Sequence, residues 1–210
     1  MGRRFADIAF TPAVQALQTR YGSRAQYART QSDEVPDDTL GPDEAEYLEN
    51  ADSLYLATVN SAGWPYAQHR GGPKGFLKVV SPSRLAFADF RGNLQYVSAG
   101  NVAGNDRASM FVMDHARRQR LKLLGHLRFV PVAAAETELL RQVALPDYRA
   151  RIERVAIFDV VAFDWNCPQH ITQRHTLAEV EAATEPLLNR IADLEAKLLA
   201  ARARTQTEEP

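Results

Sequence analysis

Between Ser53 and Asp164 the apolar residues come in short runs separated by turn formers, the pattern of a chain built from strands. Ser53–Asn60 (SLYLATVN) is rich in β-formers, and Asn60-Ser61-Ala62-Gly63 after it reads as a hairpin turn. Trp64–Arg70 returns as a strand with Trp64, Tyr66, Gln68 and Arg70 on one face, and Gly71-Gly72-Pro73 breaks it. Phe76–Val80 and Leu85–Asp89, joined across Ser81-Pro82-Ser83, form a second hairpin. Ser109–Asp114 and Leu121–Val130 follow, joined by the basic connection His115–Arg120; Arg154–Asp164 is the last strand, with Val155, Ile157 and Val161 apolar. About six strands joined mainly by short turns favour a closed barrel over alternating βαβ units. Helical pieces around Leu94–Ala99 and Glu136–Ala144 would flank it.

The ends read as helix. Thr11-Pro12 supplies a hydroxyl N-cap and then a proline whose missing N–H costs nothing; Val14, Leu17 and Tyr21 share a face, and Gly22 stops the helix. Gln31–Thr39 is polar and acidic around Pro36 and reads as a loop. A short helix starts at Pro42 and runs through Tyr47 and Leu48, with Asp43, Glu44 and Glu46 near its positive end. In the tail, Thr184, Leu187, Ile191, Leu194, Leu198 and Ala201 alternate at spacings of three and four, a heptad stripe with Arg190, Asp193, Glu195 and Lys197 off it. Such a helix packs either on its own barrel or on a partner, and Thr205–Pro210 is its frayed end. The organisation is therefore an N-terminal helical arm and loop (1–41), a barrel (42–175) and a C-terminal helix (176–210).

Composition narrows the class. The 210 residues are 45% hydrophobic and 24% charged with a formal net charge of −1, ordinary globular values that exclude a bulk nucleic-acid or membrane-surface binder. Cys167 is the single cysteine, so no intrachain disulfide forms, which suits a reducing compartment. No apolar run is long enough to span a bilayer, and the two arginines of MGRRFADIAF are followed by no signal-like apolar stretch. The expectation is a cytoplasmic protein.

Three segments carry candidate chemistry. In Phe87–Gln95 (FADFRGNLQ) a strand ends at Asp89-Phe90 and Arg91-Gly92-Asn93 turns into a helix. A glycine lets backbone N–H groups approach an anion, an arginine offers a forked cation and a helix start adds positive dipole, so the segment suits a phosphate; it is equally an ordinary turn with a solvated arginine. In Tyr66–Lys78, Gln68 and Arg70 share a face with Lys74 and Lys78 nearby in sequence; Arg70 with Arg91 could neutralise a dianion, while the plain alternative is a basic hairpin. Asp164–His170 (DWNCPQH) offers Trp165 to cover an aromatic ring and Asn166, Gln169 and His170 to bond ring carbonyls and nitrogens. Cys167 with His170 and His175 lacks the second cysteine pair of a zinc site, and nothing marks Cys167 as a nucleophile, so it reads as a small buried residue. Gly100–Gly104 has the wrong spacing for a dinucleotide fingerprint, and no Walker lysine loop or nucleophile elbow is present.

In this order, the run Leu56–Asp114 and the loop DWNCPQH resemble the pyridoxamine 5'-phosphate oxidase-like proteins, and more closely a branch of flavin-nucleotide-binding proteins. The likeness covers about three quarters of the chain. It implies a mainly β fold with flanking helices, a split β-barrel, that works as a homodimer with FMN at the subunit interface. The residues it points to for the cofactor are Gln68 and Arg70 on one strand, Arg91, Asn93 and Gln95 in the turn, and backbone near Asp89 and Phe90. Arg120, Trp165 and Gln169 would close the pocket from the partner subunit, and His170 is the candidate proton donor. Two departures matter. Leu94 and Gln95 stand where the oxidase carries a basic pair, and Trp165–Arg174 (WNCPQHITQR) replaces its substrate-holding box, so these residues point away from vitamin B6 oxidation.

The functional expectation is a flavin-dependent oxidoreductase acting on a small substrate. The alternatives are a non-catalytic FMN binder (carrier, redox sensor or flavin store) and a barrel without cofactor that serves as an interaction module. A deazaflavin or haem in place of FMN stays open at this point.

Overall fold

Hydrogen bonds join seven antiparallel strands into one sheet in the computed structural model, which describes residues 2–32, 39–165 and 168–207, with side chains left out at 30–32 and 203–207. Three helices, α1 (Arg3–Ala9), α2 (Pro12–Arg20) and α3 (Arg24–Ser32), precede α4 (Pro42–Glu49). The strands are β1 (Ser53–Val59), β2 (Pro65–Gly71), β3 (Leu77–Ser81), β4 (Arg84–Phe90), β5 (Arg107–Asp114), β6 (Gln119–Pro131) and β7 (Ile152–Trp165). Helix α5 (Val97–Gly104) lies between β4 and β5, α6 (Thr137–Val143) between β6 and β7, and α7 (Leu177–Thr207) ends the chain. The order across the sheet is β2-β1-β5-β6-β7-β4-β3. Among the described residues no ladder joins β2 to β3, so the barrel is not closed as the strand pattern suggests but split along that seam.

The period-2 pattern explains the core. Leu54 and Leu56 of β1, Met110 and Val112 of β5, Leu121 and Leu123 of β6 and Phe158 of β7 all point inward and are buried with Leu85 and Phe87 of β4. Strand β6 is crowded enough to need a glycine. A Cβ at Gly125 would lie 2.3 Å from the Asp159 carbonyl oxygen, and the β6–β7 register shifts between Leu124 and Gly125. Helix α4 closes one side: Tyr47 is buried and its hydroxyl lies 3.1 Å from the carbonyl oxygens of both Val112 and Gln119.

Local signals place most elements. Thr11 caps α2 by accepting from the Val14 N–H, Pro12 opens the helix, and Gly22 follows it at φ 80°. Leu17 and Tyr21 are nonetheless exposed, so the face they share is not a core face of this chain. Helices α1 and α3 are unforeseen, and α3 runs to Ser32 into the stretch expected to be loop; the rest of that stretch, 33–38, lies outside the described residues. The helix expected at Leu94–Ala99 starts later, at Val97, because Leu94 and Tyr96 take left-handed backbone (φ 63° and 53°).

Two units are distinguishable by contacts: Met1–Asp114 with Arg118–Ile171, and His115–Arg117 with the chain from Thr172 onwards. The N-terminal helices thus belong with the barrel unit. In the second unit Arg174 N–H donates to the His115 carbonyl and Gln173 Nε2 to that of Ala116. Thr176 and Glu179 bond reciprocally at the start of α7, a capping box. Among the described residues no helix is long and apolar enough to cross a membrane.

Candidate functional site

The split between β2 and β3 exposes β4 to β2, and a buried acid spans the gap. Asp89, in a strand otherwise apolar from Leu85 to Phe90, is buried, and the β4–β7 register sets Arg154 directly opposite it. Arg154 donates to Asp89 Oδ2 from Nε at 2.8 Å and from Nη2 at 2.5 Å. From the other side of the seam, Arg70 Nη1 approaches Asp89 Oδ1 at 2.7 Å, a charge contact without hydrogen-bond alignment. A carboxylate with no exposed surface is tenable here because two guanidiniums neutralise it. Arg154 is further fixed by the rings of Tyr96 and Phe129, whose centroids lie 4.8 and 5.2 Å from its guanidinium carbon.

After β4 the chain makes the turn that forms the rim. Arg91 N–H donates to the Arg151 carbonyl, which pins the turn to the start of β7. The Asn93 side chain accepts from the Gln95 N–H at 3.2 Å. Leu94 and Tyr96 then sit in the left-handed region, at a cost of order 1–3 kcal/mol each for residues that are not glycine. Tyr96 precedes α5 without capping it by side chain. The Ser98 hydroxyl of α5 donates to Gln68 Oε1 at 2.9 Å, which fastens the helix to β2.

These elements enclose a cavity of about 320 Å³. Seven of the residues that the sequence singles out line it: Gln68, Arg70, Asp89, Phe90, Arg91, Asn93 and Gln95. Arg70 and Arg91, apart in sequence, therefore meet one space. Arg91 is about half exposed, and its Nε lies 3.6 Å from Glu153 Oε1, a loose pairing. Arg70 Nε is buried and has no hydrogen-bond partner among the described residues. Tyr148, whose ring packs edge-on against Phe90 at 5.0 Å, also lines the cavity. Asp89, expected near the ring through its backbone, has a second role, because its carboxylate is the internal counter-ion of two arginines.

Sequence reasoning missed Arg154, Glu153, Tyr96 and Tyr148. The available signal was Asp89 itself, since an acid inside an apolar strand requires a cation on a neighbouring strand. Which strand supplies it depends on the β4–β7 pairing, a long-range fact.

The remaining expected residues do not line the cavity of their own chain. Arg120, on β6, pairs in register with Met113 of β5, and Trp165 ends β7, roughly 35 Å of strand away from Arg154. Trp165 Nε1 donates to Glu44 Oε1 at 2.7 Å, and its ring stands edge-on to Tyr47, so within one chain it fastens α4 to the barrel. Gln169 and His170 are exposed, the latter at φ 63°. Asn166 and Cys167 lie outside the described residues. Lys74 and Lys78, considered alongside, do not line the cavity; nor does Lys122 of β6, which meets Asp164 at 2.7 Å and the Phe5 ring.

A family model described as pyridoxamine 5'-phosphate oxidase matches residues 40–164. Several solved structures are similar in fold. The FMN-binding protein from Syntrophomonas wolfei shares 11% identity over 71% of this chain and 97% of its own, with a TM-score of 0.42. A Clostridium acetobutylicum protein related to general stress protein 26, of the pyridoxinephosphate oxidase family, shares 9% identity over 66% and 94%, also at 0.42. HutZ, the haem storage protein from Vibrio cholerae, shares 15% identity over 60% and 94%, at 0.40. No curated protein sequence matches the chain. Because the matched segment holds β1 to β7 apart from the last residue of β7, and spans more than half of the sequence, the chain belongs to the pyridoxamine 5'-phosphate oxidase family.

Proposed function

We propose that this chain binds FMN in the cavity at the β2–β4 seam, as the cofactor of a homodimeric, cytoplasmic oxidoreductase acting on a small substrate. One observation carries the reading: Arg70, whose buried Nε has no hydrogen-bond partner among the described residues, lines the same cavity as the half-exposed Arg91. A terminal phosphate would meet both guanidiniums, with the Asn93–Gln95 turn and Gln68 completing the cradle. FMN would bring hydride chemistry, so the chain need only position it, donate hydrogen bonds and keep one face dry. Asp89 and Arg154 keep Arg70 aimed across the seam. Phe90, Tyr96 and Tyr148 offer aromatic surface for a flat ring.

A second reading is favoured by the position of His170. Exposed and outside the cavity, it leaves one chain without the expected proton donor, which suits a carrier, sensor or store of FMN. Anaerobic mixing with NADH or NADPH separates the two: rapid bleaching of the flavin band supports the oxidoreductase, and a persistent band supports the binder.

Purified protein should show a flavin absorbance band, and mass analysis of the released ligand should identify FMN. Because one similar structure stores haem, a Soret band with no flavin, or a deazaflavin mass, overturns the proposal. Arg91→Ala should weaken FMN binding by about 1.5–3 kcal/mol, the value of a charge-assisted hydrogen bond, in a fluorescence-quenching titration. Unchanged affinity would place the phosphate elsewhere.

A further inference from the structure

Along a regular strand successive side chains point to opposite faces, so Glu153 and Arg154 of β7 would not share one space. Both nonetheless line the cavity. The β4–β7 register accounts for it: Asp89 pairs with Arg154 and Phe90 with Ile152, which leaves Glu153 as the extra residue of a bulge, without a partner on β4. A local fault in the ladder thus puts a carboxylate beside the arginines of the cavity.

Glu153 is held there at two points. Its Oε1 lies 3.6 Å from Arg91 Nε, and its Oε2 accepts a long hydrogen bond from the Tyr96 hydroxyl at 3.4 Å. The same tyrosine lays its ring over the Arg154 guanidinium, 4.8 Å from the centroid. At 3.6 Å the Arg91 contact is one of charge and not a hydrogen bond, so the arginine can leave it. The Glu153 side chain keeps 20% of its surface exposed against 48% for Arg91, so its charge is the less screened of the two.

We propose, resting on the phosphate reading of the cavity, that Glu153 is a specificity-determining residue: the resident counter-anion of Arg91, which a ligand's phosphate must displace. The phosphate meets two costs from it. It competes for Arg91, and it then lies in one cavity with a like charge. With Glu153 neutral, the three guanidiniums and one carboxylate of the lining would carry about +2, a match for the dianionic form of a phosphate monoester. A ligand without phosphate meets neither cost. Glu153 therefore narrows the affinity gap between FMN and riboflavin and favours exchange of the phosphorylated ligand over its retention.

Glu153→Gln, close in shape and without the charge, tests this in the full chain. Fluorescence quenching should show FMN bound roughly three- to tenfold more tightly than by the parent, with riboflavin unchanged. Inorganic phosphate should raise the melting temperature of the variant more than that of the parent, each measured against its own phosphate-free melt. Glu153→Ala should reproduce both effects, and Glu46→Gln, the same change at an exposed position outside the cavity, should behave as the parent. Weaker FMN binding by Glu153→Gln would mean that the carboxylate aims Arg91 at the ligand, and overturns the proposal; so does an equal gain for riboflavin. If neither protein binds FMN while phosphate still stabilises the variant more, the cofactor reading fails and the role of Glu153 stands. If both bind FMN alike, the cofactor reading stands and the role of Glu153 fails.

Discussion

Replacing Asp89 by asparagine preserves shape and removes one charge, and the structure says what that charge holds. Asp89 has no exposed side-chain surface and lies 2.7 Å from Arg70 Nη1 and 2.5 Å from Arg154 Nη2. Without it, two guanidiniums face each other across the seam with no counter-ion between them. Breaking a buried ion pair from one side costs roughly 3–5 kcal/mol. Both arginines keep about a fifth of their side-chain surface exposed, so water relieves part of the loss and the low end applies, about 3 kcal/mol. At this chain size that is a drop of roughly 6–12 °C in melting temperature. Urea denaturation of Asp89→Asn beside the parent measures it directly. The same geometry predicts a cross-over: sulfate or phosphate should stabilise the variant more than the parent, because the anion enters a cavity that has lost its internal one. A loss under about 1 kcal/mol, or equal stabilisation of both proteins by anions, would refute the account of Asp89 as the counter-ion of the seam.

Two further predictions concern the barrel. Gly125→Ala should destabilise by about 3 kcal/mol in the same denaturation assay, since its Cβ would meet the Asp159 carbonyl oxygen and the Phe158 ring, and a cost below about 0.5 kcal/mol would mean the close approach is absent. Asp159 gives the pH dependence: burial alone would raise its pKa, but hydrogen bonds from Arg84 and Arg128 outweigh that and hold it below the ordinary 3.8. A depressed carboxylate contributes stability that is fully present above its unfolded value and lost as pH falls through the folded one. The stability gap between the parent and Asp159→Asn should therefore be constant near neutrality and shrink below about pH 4; a gap that persists undiminished at about pH 3 would contradict this.

The strands were legible because each carries its own period-2 alternation and is bounded by its own turn. The β1–β2 hairpin shows this best, with Asn60 accepting from Ala62 N–H and Trp64 N–H to shape the turn. Helix α4 was legible from Pro42 and its acidic first turn. Helix α3 was not, because RAQYARTQS is polar nearly all round and offers no apolar face to read. The strand pattern alone hid the split of the barrel, which the family resemblance implied: a gap between β2 and β3 is a property of pairing, and neither strand's sequence records its missing neighbour. In the site, the local motif Arg91-Gly92-Asn93 and the strand position of Arg70 sufficed to place both at one cavity. Arg154 needed the β4–β7 register. For Arg120 and Trp165 the structure shows only their own-chain positions, on strands whose other ends approach the cavity.

The charges of the cavity bear on how it could hold a phosphate. Three guanidiniums, those of Arg70, Arg91 and Arg154, stand against two carboxylates, Asp89 and Glu153. Asp89 offsets one of the two charges of Arg70 and Arg154, and Glu153 offsets that of Arg91 only loosely, so the cavity lining carries a net charge of about +1. One net positive charge matches a monoanion, whereas a phosphate monoester near neutrality carries between one and two negative charges (pKa2 about 6). The remainder must come from dipoles or from outside the chain. The Tyr96 end of α5, uncapped by any side chain, offers backbone N–H groups at the rim. Under the proposed dimer, a basic residue of the second subunit would supply the rest, which makes Arg120→Ala a discriminating variant. It does not line its own cavity, so it should weaken FMN binding if the cavity is shared and leave binding unchanged if each chain binds alone.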